Sequence, residues 1–424
     1  MTAAAGLAPS RNVLPNGAVV IVKNTSTTPA VTLNASIHAG IAYDAPGQDG
    51  LAHFASRVID RGTEARSADD IAEELDRGGV SLAVTVNRHV MSLVCTCLAE
   101  DFDTILELLG EIVMTPTFPA PQVETRRGAV ITAIRQDEDN PAVMAAEGLM
   151  ALLYGAEHPY GRRPRGTVDS VNAIGPAALQ AFHRACFAPA AMTLAMVGDV
   201  EARRATDAAA RVFGGWKAGP HAVAALVAPL PAEHRRTMVI PMMNKSQVDI
   251  AYGFTTIVRN DPAFHAYWLM NNILGQYAIG GRLGDRIRER QGMAYYAMSA
   301  LDANVIPGPL FIRAGVNPAN VERALASIDE EVGRLAADGP TDQEMRESTQ
   351  YLIGSMPRNL ETNAHIASFL QTEEFFGLGL DYDVRLPDLL RAVTREDVAA
   401  AARRTLDPAK ATVVVAGPYD GTLQ

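Results

Sequence analysis

Apolar and polar positions change period along the chain, and the changes mark out its elements. Residues 12–23, Asn-Val-Leu-Pro-Asn-Gly-Ala-Val-Val-Ile-Val-Lys, predict a turn feeding a β-branched strand, and Ala30–His38 predicts a second strand. Ser67 and Asp70 make a capping-box-like start, Ile71 and Leu75 follow at helical spacing, and Gly78-Gly79 stop that helix. Residues 80–87 and 90–98 alternate as a strand pair around a turn at Asn87-Arg88-His89. Phe102, Leu106, Leu109 and Val113 mark one helix face, and a further helix covers Ala120 to Glu138, ending near Pro141. Pro176 opens another helix that runs into a strand at Met192–Val197, closed by Gly198-Asp199.

The second half repeats this pattern. A shift of 219 residues (321 − 102) carries Phe102, Leu106, Leu109 and Val113 onto Val321, Leu325, Ile328 and Val332. The same shift carries Pro121 onto Pro340, Leu179 onto Val398, Pro189-Ala190 onto Pro408-Ala409, Thr193 onto Thr412 and Gly198 onto Gly417. One gapless offset that keeps apolar positions in phase predicts two copies of one α+β domain. The expected division is residues 1–214, a linker over 215–234 rich in Ala, Gly and Pro, and residues 235–424.

Composition narrows the function classes. The chain has 424 residues, 48% of them apolar and 20% charged, which suits two domains with substantial cores. No apolar run approaches the roughly 18 residues that would span a bilayer. Met1 to Ser10 lack the basic start and apolar stretch of a signal peptide, so a cytoplasmic or periplasmic location is expected. The net charge of −11 argues against nucleic acid as the main partner. Three cysteines give no disulfide framework: Cys95 and Cys97 point the same way on one strand, and Cys186 is far off in sequence.

The stretch with the most chemistry in it is Gly50-Leu-Ala-His-Phe-Ala-Ser-Arg-Val-Ile-Asp-Arg-Gly-Thr63. Gly-Leu-Ala-His-Phe before the helix and Arg-Gly-Thr after it resemble the frame that the pitrilysin (insulinase-type) zinc metallopeptidases place around H-x-x-E-H. In that pattern two histidines four apart bind zinc, and the glutamate on the same face polarises the attacking water. Here His53 stands in the first position, but Ser56 replaces the glutamate and Arg57 the second histidine. A hydroxyl is a poor general base, and a guanidinium has no lone pair to donate and repels a dication. The third ligand in that family is a glutamate in a helix before E-D-N-P. The matching stretch is Val130-Ile-Thr-Ala-Ile-Arg135 before Glu138-Asp-Asn-Pro141, which puts Ala133 at the ligand position. Asp137 lies one turn further on, about 5 Å along the axis, too far to make a zinc–oxygen bond of about 2 Å. No metal is therefore expected at His53, Ser56, Arg57 and Ala133.

The resemblance extends along nearly the whole chain. His158-Pro-Tyr-Gly and Gly166-Thr…Phe182…Pro189…Val197-Gly-Asp199 are similar to the end of the family's first domain. Gly280-Gly-Arg282-Leu…Arg288-Glu-Arg-Gln-Gly292-Met-Ala-Tyr295 is similar to its second-domain signature G-G-x-S-S-R-L…R-E-x-x-G-L-A-Y. The resemblance implies two homologous domains, each a mostly antiparallel sheet backed by helices, closing like a clam as half of a chamber. It also implies that Arg282 and Tyr295 face the zinc helix and contact substrate, the phenol donating to the oxyanion and the guanidinium to a peptide carbonyl.

Some members of the family divide into two chains, one keeping H-x-x-E-H and the other the arginine–tyrosine pair, and this chain resembles the second kind. The implied role is the non-zinc-binding subunit of a heterodimeric metallopeptidase. Its partner would be a homologous subunit that carries H-x-x-E-H and the zinc. The substrate would be an unfolded peptide held in extended form against a sheet edge. The alternative is an inert scaffold or peptide-binding member of the same family. Hydrolysis by another nucleophile finds no support, since no G-x-S-x-G elbow or Cys/His arrangement is present.

Overall fold

The computed structural model describes residues 6–421 except 218, 220, 225 and 277–280. β1 (Ser10–Val13), β2 (Val19–Asn24), β3 (Ala30–Ile37), β4 (Leu82–Val86), β5 (Met91–Leu98) and β6 (Met192–Gly198) form one sheet, in the order β1-β2-β6-β3-β5-β4. β7 (Arg236–Pro241), β8 (Val248–Thr255), β9 (Ala294–Leu301), β10 (Pro309–Val316) and β11 (Thr412–Gly417) form the other, in the order β7-β11-β8-β10-β9. In each sheet one pair is parallel, β2 with β6 and β7 with β11, and the rest are antiparallel. Once β1 is set aside the two orders are the same. Corresponding strands start 217 (236 − 19), 220 (412 − 192), 218 (248 − 30) and 218 (309 − 91) residues apart, and only β9 departs, at 212 (294 − 82). The two halves are copies of one α+β topology.

The helices up to the linker are α1 (Leu51–Val58), α2 (Ala68–Arg77), α3 (Phe102–Met114), α4 (Ala120–Glu138), α5 (Pro141–Tyr154), α6 (Val168–Ala173), α7 (Pro176–Cys186) and α8 (Ala202–Phe213). After it come α9 (Phe264–Asn271), α10 (Val321–Asp338), α11 (Asp342–Asn359), α12 (Asn363–Phe376), α13 (Tyr382–Ala392) and α14 (Arg395–Thr405). α2 carries the capping box expected at Ser67 and Asp70. Pro141, where α4 was expected to end, also opens α5, and the Asn140 side chain caps the Ala142 N–H at 3.0 Å. No described residue between Phe213 and Arg236 is in a helix or strand, and no helix among the described residues is long and apolar enough to cross a membrane.

Two compact units result, and each takes a piece from the other half of the chain. The first is Met1–Ile134, Arg163–Ala225 and Met356–Val384; the second is Arg135–Arg162, Leu226–Ser355 and Arg385–Gln424. In the first unit Val31, Leu33, Ala35 and Ile37 of β3 share a core with Leu51, Phe54 and Val58 of α1 and with Phe102, Leu106, Leu109 and Val113 of α3. Each such large side chain, fully buried, contributes about 1.5–3 kcal/mol.

The opposite face of that sheet is polar in part, with Thr32, Asn34 and Ser36 all buried. α12 covers it: Ile366, Ala367 and Leu370 pack on Ile21, Ala195 and Val197, and Gln371 Nε2 donates to Asn34 O at 2.7 Å and Thr193 O at 2.8 Å. In the second unit α5 plays the matching part, with Ala145, Leu149 and Leu153 on Ala251, Val414 and Ala416.

Candidate functional site

The stretch from Gly50 to Thr63 folds as the sequence requires. Gly50 sits at φ +88°, and a Cβ there would meet the Arg165 carbonyl oxygen at 2.4 Å, so only glycine can start α1 here. Asp44, 4% exposed, caps the helix with both carboxylate oxygens, accepting from Gly50 N–H at 2.9 Å and Ala52 N–H at 2.7 Å. Arg127 of α4 lies over the Phe54 ring at 5.3 Å and donates to the Ile174 carbonyl at 2.7 Å, which ties α4 to α1.

The four positions that zinc would need do not fit it. His53 is buried, and its pKa is pushed down to about 4 by burial first and by the Arg57 and Arg165 charges second. Ser56 is buried and donates its hydroxyl to the His53 carbonyl at 2.6 Å, a bond within its own helix that leaves no base for a water. Arg57 is exposed, and Ala133 on α4 is half-buried with no donor atom. One neutral imidazole beside a guanidinium is not a zinc donor set. Among the described residues no three His, Cys, Asp or Glu side chains gather where they could hold a metal ion.

Arg282 and Tyr295 belong to the second unit, and Gly280, which begins their signature, lies outside the described residues. Arg282 is turned inward. Its side chain is 9% exposed and makes a two-pronged pair with Glu344 of α11, Nε to Oε1 at 2.7 Å and Nη2 to Oε2 at 2.9 Å. Nη2 also donates to the Gly339 carbonyl at 3.0 Å, and the buried Nη1 has no partner among the described residues. Burial pushes the Glu344 carboxyl up, but Arg282 and the bonds from Thr341 outweigh it and hold it below the usual range.

Tyr295 is the opposite case, 85% exposed. The β9–β10 register pairs Tyr296 with Gly315 and Ala294 with Val316, so Tyr295 is the extra residue of a β-bulge on an edge strand. Bulges re-aim side chains in this way, often beside active sites. The sequence reading passed over Arg288, which lies in the same signature on the helical turn before β9. Its side chain is 46% exposed and touches Glu289 at 3.6 Å. Its place seven residues before Tyr295 was visible; its exposure was not.

Known proteins match the chain from end to end. Residues 19–162 match the family described as Insulinase (Peptidase family M16), and residues 173–352 match the Peptidase M16 inactive domain. An uncharacterized zinc protease of Mycobacterium tuberculosis is 28% identical over 427 aligned positions, covering 98% of this chain and 94% of that protein. Another, from Bacillus subtilis (strain 168), is 24% identical, covering 92% of this chain and 93% of its own length. The crystal structure of a peptidase M16 inactive domain from Pseudomonas fluorescens superposes with a TM-score of 0.89 at 26% identity, covering 99% of this chain and 100% of that one. A protease from Helicobacter pylori shares the fold at TM-score 0.89 and 17% identity, over 96% of this chain and 99% of that one. With both family descriptions matched in chain order and the fold shared along nearly its full length, the chain belongs to the M16 insulinase-type peptidase family.

Proposed function

We propose that this chain is the zinc-free subunit of a two-chain M16 peptidase, working with a homologous subunit that carries H-x-x-E-H and the zinc. The observation that carries the reading is a pairing of opposites. The α1 face offers no metal donor set, while Tyr295 projects from its bulge with an exposed phenol. Water activation belongs to the partner. This chain's part is to receive an extended, unfolded peptide and donate a hydrogen bond from Tyr295 to the oxygen that gains charge. For Arg282 to contact the same peptide it must exchange Glu344 for the substrate carbonyl, whereas the Arg288 guanidinium is already open to solvent.

The engagement of Arg282 favours the second reading, a scaffold or peptide-binding member of the family. Reconstitution separates the two. Mixing the chain with an H-x-x-E-H subunit should give peptidase activity that neither shows alone. Tyr295→Phe should lower kcat about 100-fold without loss of assembly, the usual scale for one oxyanion donor. Arg282→Ala and Arg288→Ala then show which guanidinium touches substrate. If complexes of the right size cleave peptides at the unmutated rate with all three variants, the chain is a scaffold.

A further inference from the structure

We propose that Tyr296 and Asp249 are positioning residues that decide which of two adjacent tyrosines β9 extrudes, and so place the Tyr295 phenol. This rests on the assignment of Tyr295 as a donor to the reaction. The need for a bulge is already in the strand. Ala294 pairs with Val316 and Ala297 with Ala314, and Val316 and Ala314 lie on one face of β10, so the two alanines share that face. Both are buried, Ala294 at 8% and Ala297 at 4% exposure. They are three residues apart, and period-two alternation cannot put residues three apart on one face without one extra residue between them. The two residues between are Tyr295 and Tyr296. The bulge alone does not say which one leaves the ladder.

The row across the sheet does. Asp249 of β8, Gly315 of β10 and Tyr296 of β9 are directly opposite one another in register. The Tyr296 hydroxyl crosses above Gly315 and donates to Asp249 Oδ1, while Gln247 Nε2 donates to Oδ2 at 3.2 Å. Asp249 is 4% exposed, so its carboxylate depends on these donors. The crossing needs a glycine: a Cβ at Gly315 would lie 2.7 Å from Tyr296 Cε1 and 2.5 Å from Gln247 Nε2. Burial, with Asp249 as acceptor, pushes the Tyr296 phenol up, so it stays protonated and able to donate. Asp249 claims one phenol, and the other is turned out. Without the Tyr296 hydroxyl, the phenol of the adjacent Tyr295 is the one to take its place over Gly315.

The test uses the chain alone, with 3-fluorotyrosine placed at position 295 and read by fluorine NMR in H2O and D2O. The parent chain should give one resonance with a large solvent isotope shift, as an exposed ring does. Tyr296→Phe should move that resonance and cut the isotope shift at least twofold, as Tyr295 turns in to reach Asp249. Asp249→Asn, which keeps an acceptor, should reproduce the parent spectrum, and Asp249→Ala should give two resonances. A parent-like spectrum in Tyr296→Phe overturns the proposal. If Tyr296→Phe does not fold, Gly315→Ala gives the same decision, since its methyl must displace the Tyr296 ring; an unmoved resonance there overturns it too. In the reconstituted complex, Tyr296→Phe should lower kcat about tenfold with KM within twofold. If Tyr295→Phe leaves kcat unchanged, the catalytic assignment of Tyr295 fails, while the fluorine result still judges the positioning pair.

Discussion

Replacing Arg282 by alanine should destabilise the second unit by about 2–3 kcal/mol, and this separates a structural clasp from a free substrate ligand. Breaking a buried ion pair by removing one partner costs about 3–5 kcal/mol, because the other charge is left buried and unpaired. Arg282 is 9% exposed, but Glu344 is 26% exposed and keeps its bonds from the Thr341 N–H at 2.7 Å and hydroxyl at 3.0 Å. Those bonds place the expected loss at or just below the lower end of the range. Arg282 also faces Glu331, whose fully buried carboxyl is raised by burial against the pull of Arg334, Arg282 and Arg286, so its loss unsettles a second acid.

Thermal unfolding can be followed through Trp268 of α9 in a Trp216→Phe background, since the chain has two tryptophans and Trp268 lies in the second unit. At about 2–4 °C per kcal/mol for a unit of this size, the midpoint should fall by about 4–12 °C. A double-mutant cycle with Glu344→Ala should return a coupling of about 1–2 kcal/mol. The folded pKa of Glu344 is held below its unfolded value, so the contribution is complete above about pH 4.3 and fades as pH drops through the folded value. A loss under about 0.5 kcal/mol, or no coupling to Glu344, would refute the clasp and return Arg282 to the pool of substrate ligands.

Two further outcomes follow from α1. Asp44→Ala removes the acceptor of two buried N–H groups and should cost about 1–3 kcal/mol, read from Trp216 in a Trp268→Phe background, whereas Ser56→Ala should stay within about 1 kcal/mol. His53, depressed to about 4 from 6.5, stays neutral when folded while the unfolded chain takes up a proton. Its contribution is therefore complete above about pH 6.5 and declines toward pH 4, by about 3 kcal/mol in all. His53→Gln should flatten the stability profile in that window, and a proton NMR titration that finds its imidazole charging near pH 6.5 would contradict the burial argument.

The sequence made the duplication legible because the 219-residue offset preserves apolar phase, and phase is what a core reads. The residue types at Ser56, Arg57 and Ala133 were legible too, since none of the three is a good zinc ligand wherever the chain places it. The exchange of α5 and α12 between units was not. Burial on α12 falls on Ile366, Ala367, Leu370, Gln371 and Glu373, and which sheet accepts Gln371 is settled by carbonyls of Asn34 and Thr193, more than 170 residues away. The partner of Arg282 was hidden for the same reason: Glu344 is 62 positions on and meets it only once α11 is in place. Tyr295 was named by its motif, but its exposure comes from the bulge, and the bulge from which alanines are buried.

These placements change how much each residue says about function. α1 is held by the Asp44 cap, by the close approach of Gly50 to Arg165, and by the packing of Leu51, Phe54 and Val58; the Ser56 hydroxyl, at a changed position, bonds only to the His53 carbonyl of its own helix among the described residues. The contacts that hold α1 therefore do not run through the side chains of Ser56, Arg57 or Ala133. Arg282 is different, because Glu344 and Gly339 depend on it, so its presence is accounted for by stability with or without a reaction. The Tyr295 phenol has no hydrogen-bond partner among the described residues and is 85% exposed. An aromatic side chain extruded from a strand by a bulge, while its neighbour is fastened to Asp249, does nothing for the core. Its phenol is thus a feature of the second unit that the packing of the fold does not explain.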